Sequence, residues 1–128
     1  MAGRIKQLSM FVLGHIDEIT IGTSRGYSLN NSAVHQVFVV RVAIDEVYAY
    51  RNSCPHKGYE EGSMAWRKHH FLNGNGRFIQ CGSHGALFEI DNGLCVHGPC
   101  INKRLEKLEV TCDHQGLLCL HLDSEKKL

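Results

Sequence analysis

Two long stretches of this chain carry apolar residues in a pattern that predicts strands. Val37-Phe-Val-Val-Arg-Val42 and Val47-Tyr-Ala-Tyr-Arg51 are β-branched and aromatic runs separated by Ala43 to Glu46, which predicts an antiparallel hairpin. Strand side chains alternate between faces, so Val47 and Ala49 are expected on one face and Tyr48 and Tyr50 on the other. Near the C-terminus Leu108, Val110 and Cys112 alternate with Lys107, Glu109 and Thr111. Leu105 to Cys112 and Leu117 to Leu122 therefore read as a half-buried final hairpin. Shorter strands are expected at Met10 to Leu13 and near Gly26 to Leu29, with turns around His15 to Glu18 and Gly22. Ala86 to Ile90 and Leu94 to Val96 flank an Asp91-Asn92-Gly93 turn, another hairpin. Met64 to Phe71, followed by Asn73-Gly-Asn-Gly76, suggests an extended hairpin closed by a tight glycine turn. No repeat, linker or strong amphipathic helix is evident, and Ser124 to Leu128 is polar and expected to fray. The pattern predicts strands joined in antiparallel hairpins along one domain, residues 1–128.

Composition narrows what such a domain can do. At 128 residues the chain is long enough for a core but not for a second catalytic domain. A formal net charge of +1, without a basic stripe, argues against a nucleic-acid surface. Met10 to Leu13, the longest N-terminal apolar run, is too short for a signal-peptide core or a membrane span. A cytoplasmic location without membrane attachment is the expectation. Of the six cysteines, Cys95, Cys100, Cys112 and Cys119 read as small buried apolar residues in a reducing compartment, although a bond between Cys112 and Cys119 across their hairpin is conceivable. His15, His35, His97, His114 and His121 read as surface or satisfied structural residues.

The candidate chemistry lies in two short segments, Cys54-Pro55-His56 and Cys81-Gly82-Ser83-His84, separated by 24 residues. Each supplies one thiol and one imidazole. A structural zinc finger usually groups cysteines in one knuckle and histidines in another, whereas mixed loops suit two metals. Zinc remains possible on donor type alone. Gly58, Gly82 and Gly85 favour a bulkier group, because glycine permits close backbone approach.

The run Cys81-Gly-Ser-His84-Gly-Ala-Leu-Phe88-Glu-Ile-Asp-Asn-Gly93, followed by Gly98-Pro99, resembles the Rieske ferredoxin family, and Cys54-Pro55-His56-Lys57-Gly58 resembles that family's first ligand loop. The resemblance implies one 2Fe-2S cluster, with Cys54 and Cys81 on one iron and His56 and His84 on the other. Two ferric ions, two sulfides and two thiolates sum to zero charge. An all-cysteine cluster starts two units more negative and is harder to reduce. The implied fold is a small all-β domain with the cluster-binding subdomain at one tip, its loops at about 52–62 and 79–100. Pro55, Gly58, Gly82, Gly85, Ala86, Phe88 and Pro99 would surround the cluster. Relatives of high potential carry a disulfide between the ligand loops, where this chain has Tyr59 and Ser83. They also place serine and tyrosine hydroxyls against the cluster where it has Ala86 and Phe88. Fewer donors to sulfur imply a midpoint of about −150 mV.

The resemblance further implies a soluble one-electron carrier, not an enzyme in itself. It would take an electron from a flavin-dependent reductase and pass it to a terminal oxygenase, as a monomer. The imidazoles of His56 and His84 would be its exit, and its midpoint would depend on pH in the alkaline range. A small subunit of a nitrite-reductase type complex is the alternative, and a zinc-stabilised binding module a third. The segment between the ligand loops reads as a tolerated surface insertion or, with Trp66, Arg67, Lys68, His69 and His70, as part of a docking edge. His69 and His70 are not expected to share a metal, since adjacent strand residues point to opposite faces.

Overall fold

The computed structural model describes residues 8–55, 64–65, 67–82 and 85–123. Its strands fall into two antiparallel sheets. The larger takes β1 (Leu8–His15), β2 (Thr23–Tyr27), β3 (Val37–Arg41), β4 (Val47–Arg51), β8 (Lys107–Cys112) and β9 (Leu117–Asp123) in the order β1-β9-β8-β4-β3-β2. The smaller consists of β5 (Ile79–Gln80), β6 (Leu87–Phe88) and β7 (Cys95–His97) in chain order. Both predicted long hairpins are present, Val39 opposite Ala49 in β3–β4 and Val110 opposite Leu120 in β8–β9.

Every residue of β3 is buried, because both faces of the β3–β4 hairpin are covered. Val37, Val39 and Ala49 pack with Leu108, Leu118, Leu120, Ile16 and Ile19 on one side. Phe38, Val40 and Tyr50 pack with Phe71, Ile79, Phe88 and Leu105 on the other. A strand buried on both faces reads as a continuous apolar run, which is what Val37 to Val40 is. The run ends at Arg41, itself buried. Its guanidinium donates to the carbonyls of Ile16, Ile19, Ala43 and Ile44 at 2.7–3.2 Å and meets Asp17 at 3.3 Å.

Three expectations change. The turn at His15 to Glu18 is a 3₁₀ helix, Ile16–Glu18, whose cap is reciprocal: His15 Nδ1 accepts from the Asp17 N–H and Glu18 accepts from the His15 N–H. The second strand lies at Thr23–Tyr27, earlier than predicted. Gly26 continues the strand opposite Phe38 instead of beginning it.

The third change concerns the segment between the ligand loops. Met64 to Phe71 is not one arm of an extended hairpin. The glycine turn exists, with the Gly76 N–H on the Asn73 carbonyl, but it joins Leu72 to Ile79. Residues 67–70 form a separate tight turn, closed by the His70 N–H on the Arg67 carbonyl at 2.7 Å. Nor do its described residues form a mere surface insertion, since Met64, Phe71 and Leu72 are buried and Phe71 stacks on Phe38 with centroids 4.2 Å apart. Among the described residues no helix is long and apolar enough to cross a membrane.

Candidate metal centre

The first candidate ligand leaves β4 through two buried residues, Asn52 and Ser53. Asn52 fixes the exit three times. Its N–H donates to the Gln36 carbonyl at 2.9 Å, its side-chain amide donates to the His35 carbonyl at 2.8 Å, and its Oδ1 accepts the Met64 N–H at 2.8 Å. The last bond spans the segment 56–63, so one side chain ties both ends of the first loop together. Cys54 follows, half-buried, and then Pro55, buried. Nothing in the sequence pattern singles out Asn52. Only the fold shows it directly after a strand covered on both faces, where a buried amide must find partners.

The second candidate loop is held by its own backbone. The Cys81 N–H donates to the Ala86 carbonyl at 2.9 Å, and the Gly85 N–H returns to the Cys81 carbonyl at 2.8 Å. The Gly82 N–H donates to the Met64 carbonyl at 2.7 Å, so Met64 touches both loops through its two backbone groups. Cys81, Ala86 and Phe88 are buried in one apolar group with Cys95 and Cys100, and Cys54 packs against that group. The structure thus brings Cys54, Cys81, Ala86 and Phe88 to one buried group. Gly98 packs against Ala86, where a Cβ would lie 2.9 Å from the Ala86 Cα, and its φ of +102° is one that side chains disfavour. The Gly98-Pro99 bend accordingly lies on the second ligand loop, with Pro99 exposed. His56, Gly58 and His84, with Tyr59, Trp66 and Ser83, lie outside the described residues.

The residues present fit a sulfide-bridged cluster on three counts. Neither Cys54 nor Cys81 is in a disulfide. Thiolate is a donor that iron–sulfur clusters take. Gly85 has a φ of +68°, and among the described residues nothing lies within 4 Å of the position a Cβ would occupy. Among the described residues no group of three or more His, Cys, Asp or Glu side chains is placed to hold a metal ion; two of the four candidate ligands are not among them.

The other cysteines and histidines sort by environment. Cys95 and Cys100 are buried as expected, and burial, together with the neighbouring Cys95 and Cys54 sulfurs, pushes the Cys100 thiol up to about 12. Cys112 and Cys119 are only half-buried. They face Leu118 and Thr111 instead of each other, and both are outside any disulfide. His69 and His70 occupy a turn instead of a strand. They part company all the same: His69 stacks on His35 at 4.8 Å and His70 is exposed.

Comparison with known proteins agrees with this geometry. The Rieske [2Fe-2S] domain family matches residues 9–112. Comparison with the curated proteins gives no significant match. Among solved structures, a chain of the complex of reduced oxygenase and oxidized ferredoxin in carbazole 1,9a-dioxygenase is 25% identical, with a TM-score of 0.65 over 93% of this chain and 96% of that one. The ferredoxin of carbazole 1,9a-dioxygenase from Nocardioides aromaticivorans IC177 is 20% identical, with a TM-score of 0.66 over 88% and 96%. The E. coli protein NirD is 19% identical, with a TM-score of 0.65 over 91% and 98%, and at that identity the likeness is one of fold. With two sheets of this topology, two cysteines on adjoining loops and a family match across most of its length, the chain belongs to the Rieske [2Fe-2S] domain family.

Proposed function

We propose that this chain is a one-electron carrier, a Rieske ferredoxin component that receives electrons from a flavin-dependent reductase and delivers them to a terminal oxygenase. The observation that carries the reading is the family match over residues 9–112, joined to the placement of Cys54 and Cys81 against one buried group. The likeness in length and fold to chains of the carbazole dioxygenase systems supports the choice of an oxygenase as acceptor. In this reading Cys54, Cys81, His56 and His84 hold one 2Fe-2S cluster, and residues 1–128 form one domain. When bound, such a cluster supplies reversible one-electron chemistry. The protein's own part is mechanical and electrostatic. Asn52 and the β3–β4 hairpin fix the first loop, Met64 ties it to the second, and Phe88, Ala86 and Cys95 form an apolar wall that keeps water from the sulfur side. A rigid mount of this kind limits reorganisation on electron transfer. The chain acts as a cytoplasmic monomer and has no catalytic residue of its own.

Iron, zinc and acid-labile sulfide content of freshly purified protein, with an EPR spectrum after dithionite reduction, tests this directly. About two irons and two sulfides per chain are expected, with a rhombic signal whose average g lies below the free-electron value. One zinc, no sulfide and no signal after anaerobic reconstitution would leave a structural β domain and end the electron-transfer reading.

A further inference from the structure

Two further cysteines lie in the buried group against which the candidate ligand Cys54 packs. Cys95 opens β7 and Cys100 follows the Gly98-Pro99 bend; each exposes only 1% of its surface. The two sulfurs lie 3.1 Å apart, with the Cys100 S–H donating to Cys95. The Cys95 S–H donates to the His97 carbonyl at 3.3 Å. Cys54 packs against the buried group that holds both, near enough for its sulfur to act on the Cys100 thiol. The turn is rigid: the Cys95 N–H donates to the Lys103 carbonyl at 2.9 Å, and the Lys103 N–H donates to the Cys100 carbonyl at 2.9 Å. Two sulfurs are therefore linked in a row that ends on a backbone carbonyl, with the Cys54 sulfur beside them.

Each thiol has one proton to give. The Cys95 proton is committed to the His97 carbonyl, which can only accept. The Cys100 proton has two possible acceptors, Cys95 and Cys54. While all three are thiols, these are weak neutral acceptors of similar quality. Once Cys54 binds metal it has lost its proton and carries negative charge, whereas Cys95 remains a neutral thiol. A hydrogen bond to an ionised acceptor is roughly twice as strong as a neutral one, so the S–H turns toward Cys54.

We propose that Cys100 is a positioning residue for the redox centre, donating its S–H to the Cys54 thiolate of a bound cluster while Cys95, anchored on His97, holds it in place. The proposal rests on the reading of Cys54 as a ligand. Reduction adds negative charge to the cluster and its ligand sulfurs, which strengthens the bond and favours the reduced state. Cys100 thus supplies from the Gly98-Pro99 bend a donor that Ala86 and Phe88 cannot supply from the second loop. The midpoint is then higher than those two residues alone would set.

The test is the midpoint potential of cluster-loaded wild type, Cys100→Ala, Cys100→Ser and Cys95→Ala, with iron and sulfide counted in each. Cys100→Ala is expected to lower the ratio of reduced to oxidised protein at fixed potential by about threefold to tenfold; tenfold is about 59 mV for one electron. Cys100→Ser keeps a donor and should stay at or above the wild-type midpoint. Cys95→Ala opens a cavity in the same place but leaves the Cys100 proton available, and should shift the midpoint less than Cys100→Ala does. An unchanged midpoint in loaded Cys100→Ala, or equal shifts in Cys100→Ala and Cys95→Ala, would overturn the proposal. If Cys100→Ala does not retain iron, Cys100→Val fills the space without a donor and takes the same test. Loss of iron from both, with Cys100→Ser loaded at the wild-type midpoint, supports the donor; loss from all three makes Cys100 a packing residue and overturns it. A wild type without iron and sulfide would instead defeat the electron-carrier reading itself, so the two failures are separable.

Discussion

The β3–β4 hairpin divides two buried groups that are built differently. On one face, Val37, Val39 and Ala49 meet leucines of β8 and β9, and paired strands of five to eight residues hold the group together. On the other, Phe38, Val40 and Tyr50 meet residues from loops and from strands of two or three residues. There the backbone is satisfied by turns and by side chains such as Asn52. Tyr50, its own hydroxyl on the Ile90 carbonyl, belongs to that side as well. Regular ladders stabilise the first group without outside help. The second gives up strand length for loops, and loops are what a ligand site needs.

The largest effect expected from this division is a loss of the cluster without a loss of the fold. Cys54→Ala should reduce iron and sulfide to background, because half of the proposed thiolate pair is gone. Its six-stranded sheet should persist, since neither Cys54 nor Cys81 belongs to the group on the β8–β9 side. Far-UV circular dichroism and a cooperative thermal transition read this. Disappearance of both together with the iron would mean that the two groups fold as one unit around the metal.

Next in size is Phe71→Ala. Phe71 is fully buried and stacked on Phe38, and truncating a buried phenylalanine costs about 3–5 kcal/mol. Urea denaturation should show that loss, while a cost below about 1 kcal/mol would mean that the loop side closes over the gap. Arg41→Ala probes the sheet side and is expected to cost about 2–3 kcal/mol, the scale of charge-assisted hydrogen bonds removed from buried acceptors. Its guanidinium satisfies carbonyls on both sides of the strand end. Arg41→Lys should recover little of this, since one ammonium cannot replace the planar fork.

The same division governs how much of each group can be read in the sequence. The hairpins at Val37 to Arg51 and Lys107 to Leu122 obey period-two patterning or a continuous apolar run, which strand pairing imposes locally. The pattern misplaces Gly26 because a glycine looks like a strand boundary, while here the bare backbone lets the His35 ring lie over it; a Cβ would come within 2.3 Å of His35 Nδ1. Met64 and Phe71 look like one arm of a surface hairpin because loops carry no periodicity, and only the fold reveals that both fill the ligand-side group. Cys54 and Cys81 stand out by chemistry instead, since thiols spaced with histidine and glycine are what the proposed cluster would need and packing does not ask for them. Asn52 and Cys100 obey neither rule: each matters through partners that lie far away along the chain.

The smallest effect expected is a pH dependence confined to the turn at residues 67–70. His69 sits at a φ of +67°, its Nδ1 accepting the Gly26 N–H at 3.1 Å and its carbonyl accepting from Ser24 at 2.8 Å. Burial, then the charges of Arg25, His35, Lys68 and His70, hold its pKa below the ordinary histidine value; His35 beside it is shifted the same way by burial, Lys68 and Arg25. Every charged group named is a cation, and a protonated Nδ1 could no longer accept from Gly26. The folded state thus takes up the proton later than the unfolded state. The stabilisation is complete above about pH 6.5 and is lost as the pH falls through the lower folded-state value. His69→Asn tolerates the positive φ and does not titrate. Urea midpoints measured between about pH 8 and 5.5, above the carboxylate range, should therefore fall less for this variant than for the wild type. Parallel curves would show that the turn stays docked on β2 whether or not His69 carries a proton, and that the ligand side of the molecule is no more sensitive to acid than the sheet side.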